Sequence, residues 1–325
     1  MRPSTPAIAA LLALTLSPAL ASAGDPGALL KYAPSDSGMI AGFDGEASRK
    51  TVSFKEGFKL LKRDAGFRKV VRTLKKDLNF DVAKDLNTGL IATPKVKGRG
   101  KSASRTYTLV VSGKIDRAAT EAKLAENGKP SKIAGVSVFK TSRGATVSFL
   151  DDTTMVVVMG KDAYTKRAWS TVAGKAKGAD SGADLAAELS SIDTSRNVWM
   201  VADASKVSQP SGATFKKIAM TVTMAGGLVV DSAIQMGSAG QAAKAVTTFD
   251  ENRFKSSMMA AAFAAHPLVN NAKLAANGST LTLKTSMTDT EVRAVGARVR
   301  EIEEQKRLQR EEAKRKEQEA AKAAP

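Results

Sequence analysis

Residues 218–236 constrain the fold more than any other stretch of this chain. Ile218, Met220, Val222 and Met224 alternate with Ala219, Thr221 and Thr223, and Leu228, Val230, Ile234 and Met236 continue beyond Gly226-Gly227. Period-two alternation puts every second side chain on one face of a strand, and a Gly-Gly break supplies the positive φ angles of a tight turn. This segment therefore predicts an antiparallel hairpin with one apolar face. Asn277-Gly278 marks a second hairpin, with Leu281, Leu283 and Met287 on one side of its return strand. Val136 to Thr141, Ala145 to Leu150 and Met155 to Met159 read as a three-stranded meander with turns at 142–144 and 151–153. Met155 to Met159 is apolar at every position and belongs in the centre of a sheet.

Helical signals lie between these strands. Ser53 and Glu56 have the spacing of a capping box, and Phe58, Leu61, Phe67, Val70, Val71, Leu74 and Leu78 follow at helical intervals. Asp64-Ala65-Gly66 divides this pattern into two helices. Asp116 caps a short helix, and another runs from Lys161 to about Ala173. Ser238 and Gln241 open a long Ala-rich helix, and Thr288 and Glu291 open the last one. Hairpins outnumber strand-helix-strand crossovers. The expected class is α+β, with largely antiparallel sheets, helices packed on one face and two halves of similar grammar.

The first 23 residues predict an export route. Arg2 precedes the apolar run Ala7 to Leu16, Pro18 breaks it, and Ala21-Ser22-Ala23 has the small residues of a signal-peptidase site. Residues 1–23 are read as a signal peptide cleaved near Ala23, which delivers the chain to the periplasm or beyond. The expected organisation is then 24–173 as an N-terminal half, 174–184 as a Gly-rich linker, 185–302 as a C-terminal half, and 303–325 as a charged tail, helical or disordered. The chain has no cysteine, so an exported form relies on core burial, not disulfides, for stability. Tyr32-Ala33-Pro34-Ser35-Asp36-Ser37, the following strand and paired helices, and Asn79 to Leu86 before the next strand resemble a group of exported bacterial proteins of unknown function with a duplicated α+β build. The resemblance covers about the mature N-terminal half. It implies a fold and an export route and assigns no catalytic residue.

The short catalytic motifs have stronger local readings. Gly100-Lys101-Ser102 ends like a phosphate loop, but Lys95 stands where the first glycine belongs and a strand follows where a helix is needed. Ser137 and Lys140, three apart on a strand, point to opposite faces. His266, the single histidine, precedes Pro267 at the end of the long helix, without a Gly-x-Ser-x-Gly or His-Glu-x-x-His partner motif. Asp151 and Asp152 have the chemistry of a turn. No cofactor or metal set follows from these residues.

Charge is the more informative signal. The formal net charge is +18, and between Arg49 and Arg117 there are 19 Lys plus Arg against 6 Asp plus Glu. Lys55, Lys59, Lys62, Lys69, Arg72 and Lys76 line the helix face opposite the Phe and Leu stripe, and Lys95, Lys97, Arg99, Lys101 and Arg105 add a basic loop. These eleven residues are the candidate anion-binding surface. The matching partners are an anionic envelope component (lipid A phosphate, phospholipid headgroup, acidic polysaccharide) or an acidic protein. The scarcity of aromatics outside the core argues against nucleic acid. The sequence thus points to a non-enzymatic binding protein. Two other classes stay open: a hydrolase with an unrecognised site, and a carrier whose sheet and Ala-rich helix enclose an apolar cavity lined by Ala242, Ala245, Val246, Phe249, Met258 and Met259.

Overall fold

The computed structural model describes residues 25–62, 65–95, 106–126, 128–182, 184–205, 214–262 and 264–323. The leader read over residues 1–23 lies outside them, as do Lys97, Arg99, Lys101 and Arg105.

Among the described residues, twelve strands form one sheet: β1 (Ser37–Asp44), β2 (Leu86–Pro94), β3 (Tyr107–Gly113), β4 (Ser131–Ile133), β5 (Val136–Lys140), β6 (Thr146–Phe149), β7 (Thr154–Met159), β8 (Val198–Asp203), β9 (Phe215–Thr223), β10 (Gly227–Met236), β11 (Lys273–Asn277) and β12 (Thr280–Thr288). Their order is β11-β12-β10-β9-β8-β1-β2-β3-β7-β6-β5-β4. Every pairing is antiparallel. The predicted hairpins fall in place: Gly226 and Gly227 take positive φ between β9 and β10, and Gly278 does so between β11 and β12. β7, the all-apolar segment, pairs with β3 on one side and β6 on the other.

The sheet is built twice over. Reading outward from its centre, β1-β2-β3 and β8-β9-β10 are both meanders. In each half a helix follows the third strand, Arg117–Ala125 in one and Ala239–Ala261 in the other. The chain then returns so that its last strand, β7 or β12, pairs with that third strand. The first half adds β4 and β5 at its rim and a helical excursion between β1 and β2.

The halves join where β1 pairs with β8. Gly42 stands opposite Trp199 there, and Gly89 stands opposite Phe43 on the neighbouring pair. A Cβ at either glycine would overlap the facing aromatic ring, so the missing side chains are what let the rings lie across the strands. Asn197 closes one end of the junction. Its Nδ2 donates to Ser48 Oγ at 3.2 Å, and its Oδ1 accepts from the Met224 amide at 2.7 Å. Within the stretch read as a linker, Gly178 and Ala179 lie against the N-terminal segment, with the Ala179 amide donating to the Ala33 carbonyl at 2.9 Å and Pro34 bridging to Gly178.

Side-chain alternation gives the two faces different coverings. One face carries Ile40, Leu90, Val110, Val156, Trp199 and Val201, which pack with the 3-10 helix Pro26–Tyr32 and with Tyr164, Ala168 and Trp169 of the helix Asp162–Val172. On the C-terminal strands this same face is polar: Lys217, Thr221, Asp231, Thr282 and Lys284 follow in register, and Lys284 pairs with Asp231 at 3.4 Å. The other face carries Phe43, Val111, Val157, Val198 and Val222 under the helices Val52–Leu61, Ala65–Leu78 and Arg117–Ala125. Further along it, Met236, Ile234, Leu281 and Leu274 pack with Ala242, Ala245 and Val246 of Ala239–Ala261. This helical face runs the length of the sheet and positions the candidate site.

Two polar side chains of the core find partners on other elements. Tyr164 Oη lies 2.9 Å from Thr108 Oγ1 and donates to the Ala92 carbonyl at 3.3 Å, and burial pushes its phenol up to about 12. Trp169 Nε1 donates to Thr146 Oγ1 at 2.8 Å. Replacing Tyr164 by phenylalanine removes both contacts of its hydroxyl, to Thr108 and to the Ala92 carbonyl, and leaves the ring in place. The expected cost is about 1 kcal/mol, measured by urea denaturation.

Candidate functional site

The helix Val52–Leu61 turns Phe54, Phe58 and Leu61 into the core, which leaves its lysines outward. The sequence reading of its start is corrected by the structure. Thr51, not Ser53, is the N-cap, and its side chain accepts from the Phe54 amide at 3.2 Å. Ser53 Oγ instead donates to the Gly227 carbonyl at 2.7 Å and ties the helix to the β9–β10 hairpin. Glu56 makes no capping box, because two cations compete for it. Lys59 Nζ donates to Oε1 at 2.7 Å, and Arg300 Nη1 donates to Oε2 at 2.6 Å. Burial pushes the Glu56 carboxyl up, but the hydrogen bonds and charges of Lys59 and Arg300 prevail and hold it below the usual carboxylate range. A Cβ at position 296 would crowd the same carboxylate, so Gly296 is the gap through which the last helix, Asp289–Ala323, approaches.

The basic residues then sort by what they touch. Lys55, Arg72 and Lys76 are exposed on the two helices, and Lys69 belongs to the second of them. Lys62 is exposed with its ammonium 4.7 Å from the centre of the Phe58 ring. Lys75 pairs with Asp81 at 3.1 Å. Lys95, at the end of β2, lies 2.7 Å from Asp184 and 3.8 Å from Asp203, and those carboxylates raise its pKa. Lys59, Lys62, Arg72 and Lys76 thus share the outer side of the helical face with Lys55, whereas Lys95 is committed to two acids.

The same outer side holds a feature that sequence reasoning misplaced. Met258 and Met259, read as lining an enclosed cavity with Ala242, Ala245, Val246 and Phe249, are 62% and 68% exposed, and Phe254 is 78% exposed. Ala242, Ala245 and Val246 do face the sheet, but as ordinary packing on Met236 and Leu281. The helix is so rich in alanine that either side satisfies an apolar pattern, and only its docking on β10–β12 decides which side turns outward.

The remaining motifs are structural. Asp151 accepts from the Thr153 amide and hydroxyl at 2.7 and 2.8 Å, as a turn residue does. Ser137 and Lys140 lie on opposite faces of β5. His266 is an exposed residue of the short helix His266–Asn270, and hydrogen bonds from Thr288 lower the pKa of the Glu291 carboxyl. The capping box of Thr288 and Glu291 is complete, with contacts of 2.7 and 3.3 Å. Among the described residues, no group of three or more His, Asp or Glu side chains is placed to hold a metal ion. An open cleft of about 400 Å³ is lined by Lys31, Lys175, Lys177 and Asp180. It sits at the C-terminal end of the helix Asp162–Val172, where lysines offset the negative end of the helix dipole.

No known protein family matches the chain, and no curated protein is similar to it. Among solved structures, it is similar to one described as "Structure of crystal form I of TP0453", with 12% identity over 85% of this chain and 98% of that one and a TM-score of 0.46, a likeness too distant to carry a functional argument.

Proposed function

We propose that the chain is an exported, non-enzymatic protein that binds an anionic partner of the cell envelope through the outer side of its helical face. The observation that carries this reading is the segregation of charge on the helices Val52–Leu61 and Ala65–Leu78. Lys55, Lys62, Arg72 and Lys76 point away from the sheet, while Glu56 is drawn inward between Lys59 and Arg300 and Asp81 is taken by Lys75. Outward cations such as these, with the described acids beside them engaged elsewhere, attract polyanions over a Debye length and lose that attraction as salt rises. Lys95 is left out of the proposed contact, because Asp184 and Asp203 meet its charge.

The test is retention on a sulfated resin. The variant Lys55→Ala, Lys62→Ala, Arg72→Ala, Lys76→Ala removes four exposed cations and is expected to elute at clearly lower salt than the parent. Lys244→Ala and Lys273→Ala, which lie on other elements, are expected to matter less. Elution of the quadruple variant at the parental salt concentration would sink the proposal.

A further inference from the structure

We propose that Phe254, Met258 and Met259 form an insertion element for the surface of an anionic lipid bilayer. This names the partner of the basic face and rests on the reading above. Phe254 and Met258 are four apart on the helix Ala239–Ala261 and share a side, with Met259 next to them. All three are more than half exposed, and the opposite side of the helix packs on the sheet. Large apolar side chains that protrude together from a polar surface mark a contact site.

Three observations commit the patch to a bilayer. The first is position. Arg298 Nε donates to the Ala262 carbonyl at 3.1 Å, and Arg300, on the same helix, donates to Glu56 at 2.6 Å. The last helix thereby links the end of the Phe254 helix to the basic helix Val52–Leu61, and both project from the same side of the sheet. The second is charge. Lys255 is exposed beside the patch, Asp250 is paired with Arg253 at 3.0 Å, and Glu251 is the exposed acid near it. The exposed cations Lys55, Lys62, Arg72 and Lys76 of the basic helices lie on this same side, as a surface that meets acidic headgroups needs. The third is area. Three such side chains offer on the order of 400 Å², about half of the ~800 Å² per partner that a stable dimer buries, whereas a few inserted apolar groups plus basic residues suffice for interfacial binding. No described helix is long and apolar enough to cross a membrane, so the contact is to the surface.

The chain has no cysteine, so Met258→Cys can be labelled at one site with an environment-sensitive fluorophore. The purified full chain is mixed with vesicles of phosphatidylcholine containing about one-third phosphatidylglycerol, and with pure phosphatidylcholine. The expected result is a blue shift of the position-258 label with the anionic vesicles, and none for a Lys284→Cys label on the polar face. The variant Phe254→Ser, Met258→Ser, Met259→Ser is expected to partition about tenfold or more weakly while its circular dichroism and sulfated-resin retention stay parental. A label at position 258 that stays water-like on protein that co-sediments with vesicles overturns insertion but leaves the basic-face reading intact. So does absence of co-sedimentation with retained resin binding. A concentration-dependent dimer abolished by the triple serine variant, with vesicle binding unchanged, assigns the patch to a second copy and overturns the proposal. Loss of resin binding by the quadruple alanine variant with no change in vesicle partitioning also overturns it.

Discussion

Truncating Trp199 to alanine is expected to lower the free energy of unfolding by about 3–5 kcal/mol. Trp199 is wholly buried on β8 and lies across Gly42 of β1, at the one pairing that joins the two halves of the sheet. Removing the indole opens a cavity floored by a glycine, which has no side chain to fill it. The indole Nε1 makes no hydrogen bond to a described residue, so the loss is one of packing and not of polar pairing. Trp199→Phe keeps a ring over Gly42 and is expected to cost less than half as much. Gly42→Ala attacks the contact from the other strand by overpacking and is expected to cost about 1–3 kcal/mol. Because both variants disturb one contact, the double variant Gly42→Ala, Trp199→Ala should fall short of the sum of the singles. Chemical denaturation of the four proteins measures this, and strict additivity would show that the seam is not coupled as described.

Replacing Glu56 by glutamine is expected to cost about 1.5–3 kcal/mol near neutral pH, because two charge-assisted hydrogen bonds become weak ones. The carboxylate is only 11% exposed, and it holds the last helix against the helix Val52–Leu61. The pH dependence has a definite sign. Glu56 has a lower pKa folded than unfolded, so its ion pairs contribute fully above the ordinary glutamate pKa of 4.5. That contribution is lost as pH falls through the depressed folded value, where the carboxyl takes up a proton. The parent and Glu56→Gln stability curves are therefore expected to lie apart at pH 7 and to converge only as pH falls below that depressed folded value. A gap that persists unchanged into acid would show that charge at Glu56 is not what holds the last helix.

These two sites also show where the sequence stopped being readable. Trp199 sits in a short apolar segment, and the turn at Asp193–Ser195 before it says nothing of which strand it will pair with. Its neighbour on β1, Gly42, lies 157 residues earlier in the chain. Asn197 and Ser48, which brace the same junction, are 149 residues apart, and Glu56 and Arg300 are 244 apart. Nothing local marks such pairs. Glu56 had a plausible local role three residues after Ser53, and a distant arginine displaced it.

The basic helices were legible because opposite properties fall on opposite sides: Phe54, Phe58 and Leu61 at helical spacing leave only one side for Lys55, Lys59 and Lys62. The Phe254 helix lacks that contrast, so its outward side had to wait for the strands beneath it.

The sequence by itself determined the hairpins, the helix starts at Asp116, Ser238 and Thr288, and the outward run of lysines. Each of these is a short-range matter of alternation, turn glycines or side-chain-to-backbone hydrogen bonds. Only the tertiary structure decided that one sheet spans both halves through β1 and β8, that Glu56 belongs to Arg300, and that Met258 and Met259 face water. Those outcomes depend on which apolar surfaces cover one another, and that is settled between segments far apart in the chain, beyond the reach of any local pattern.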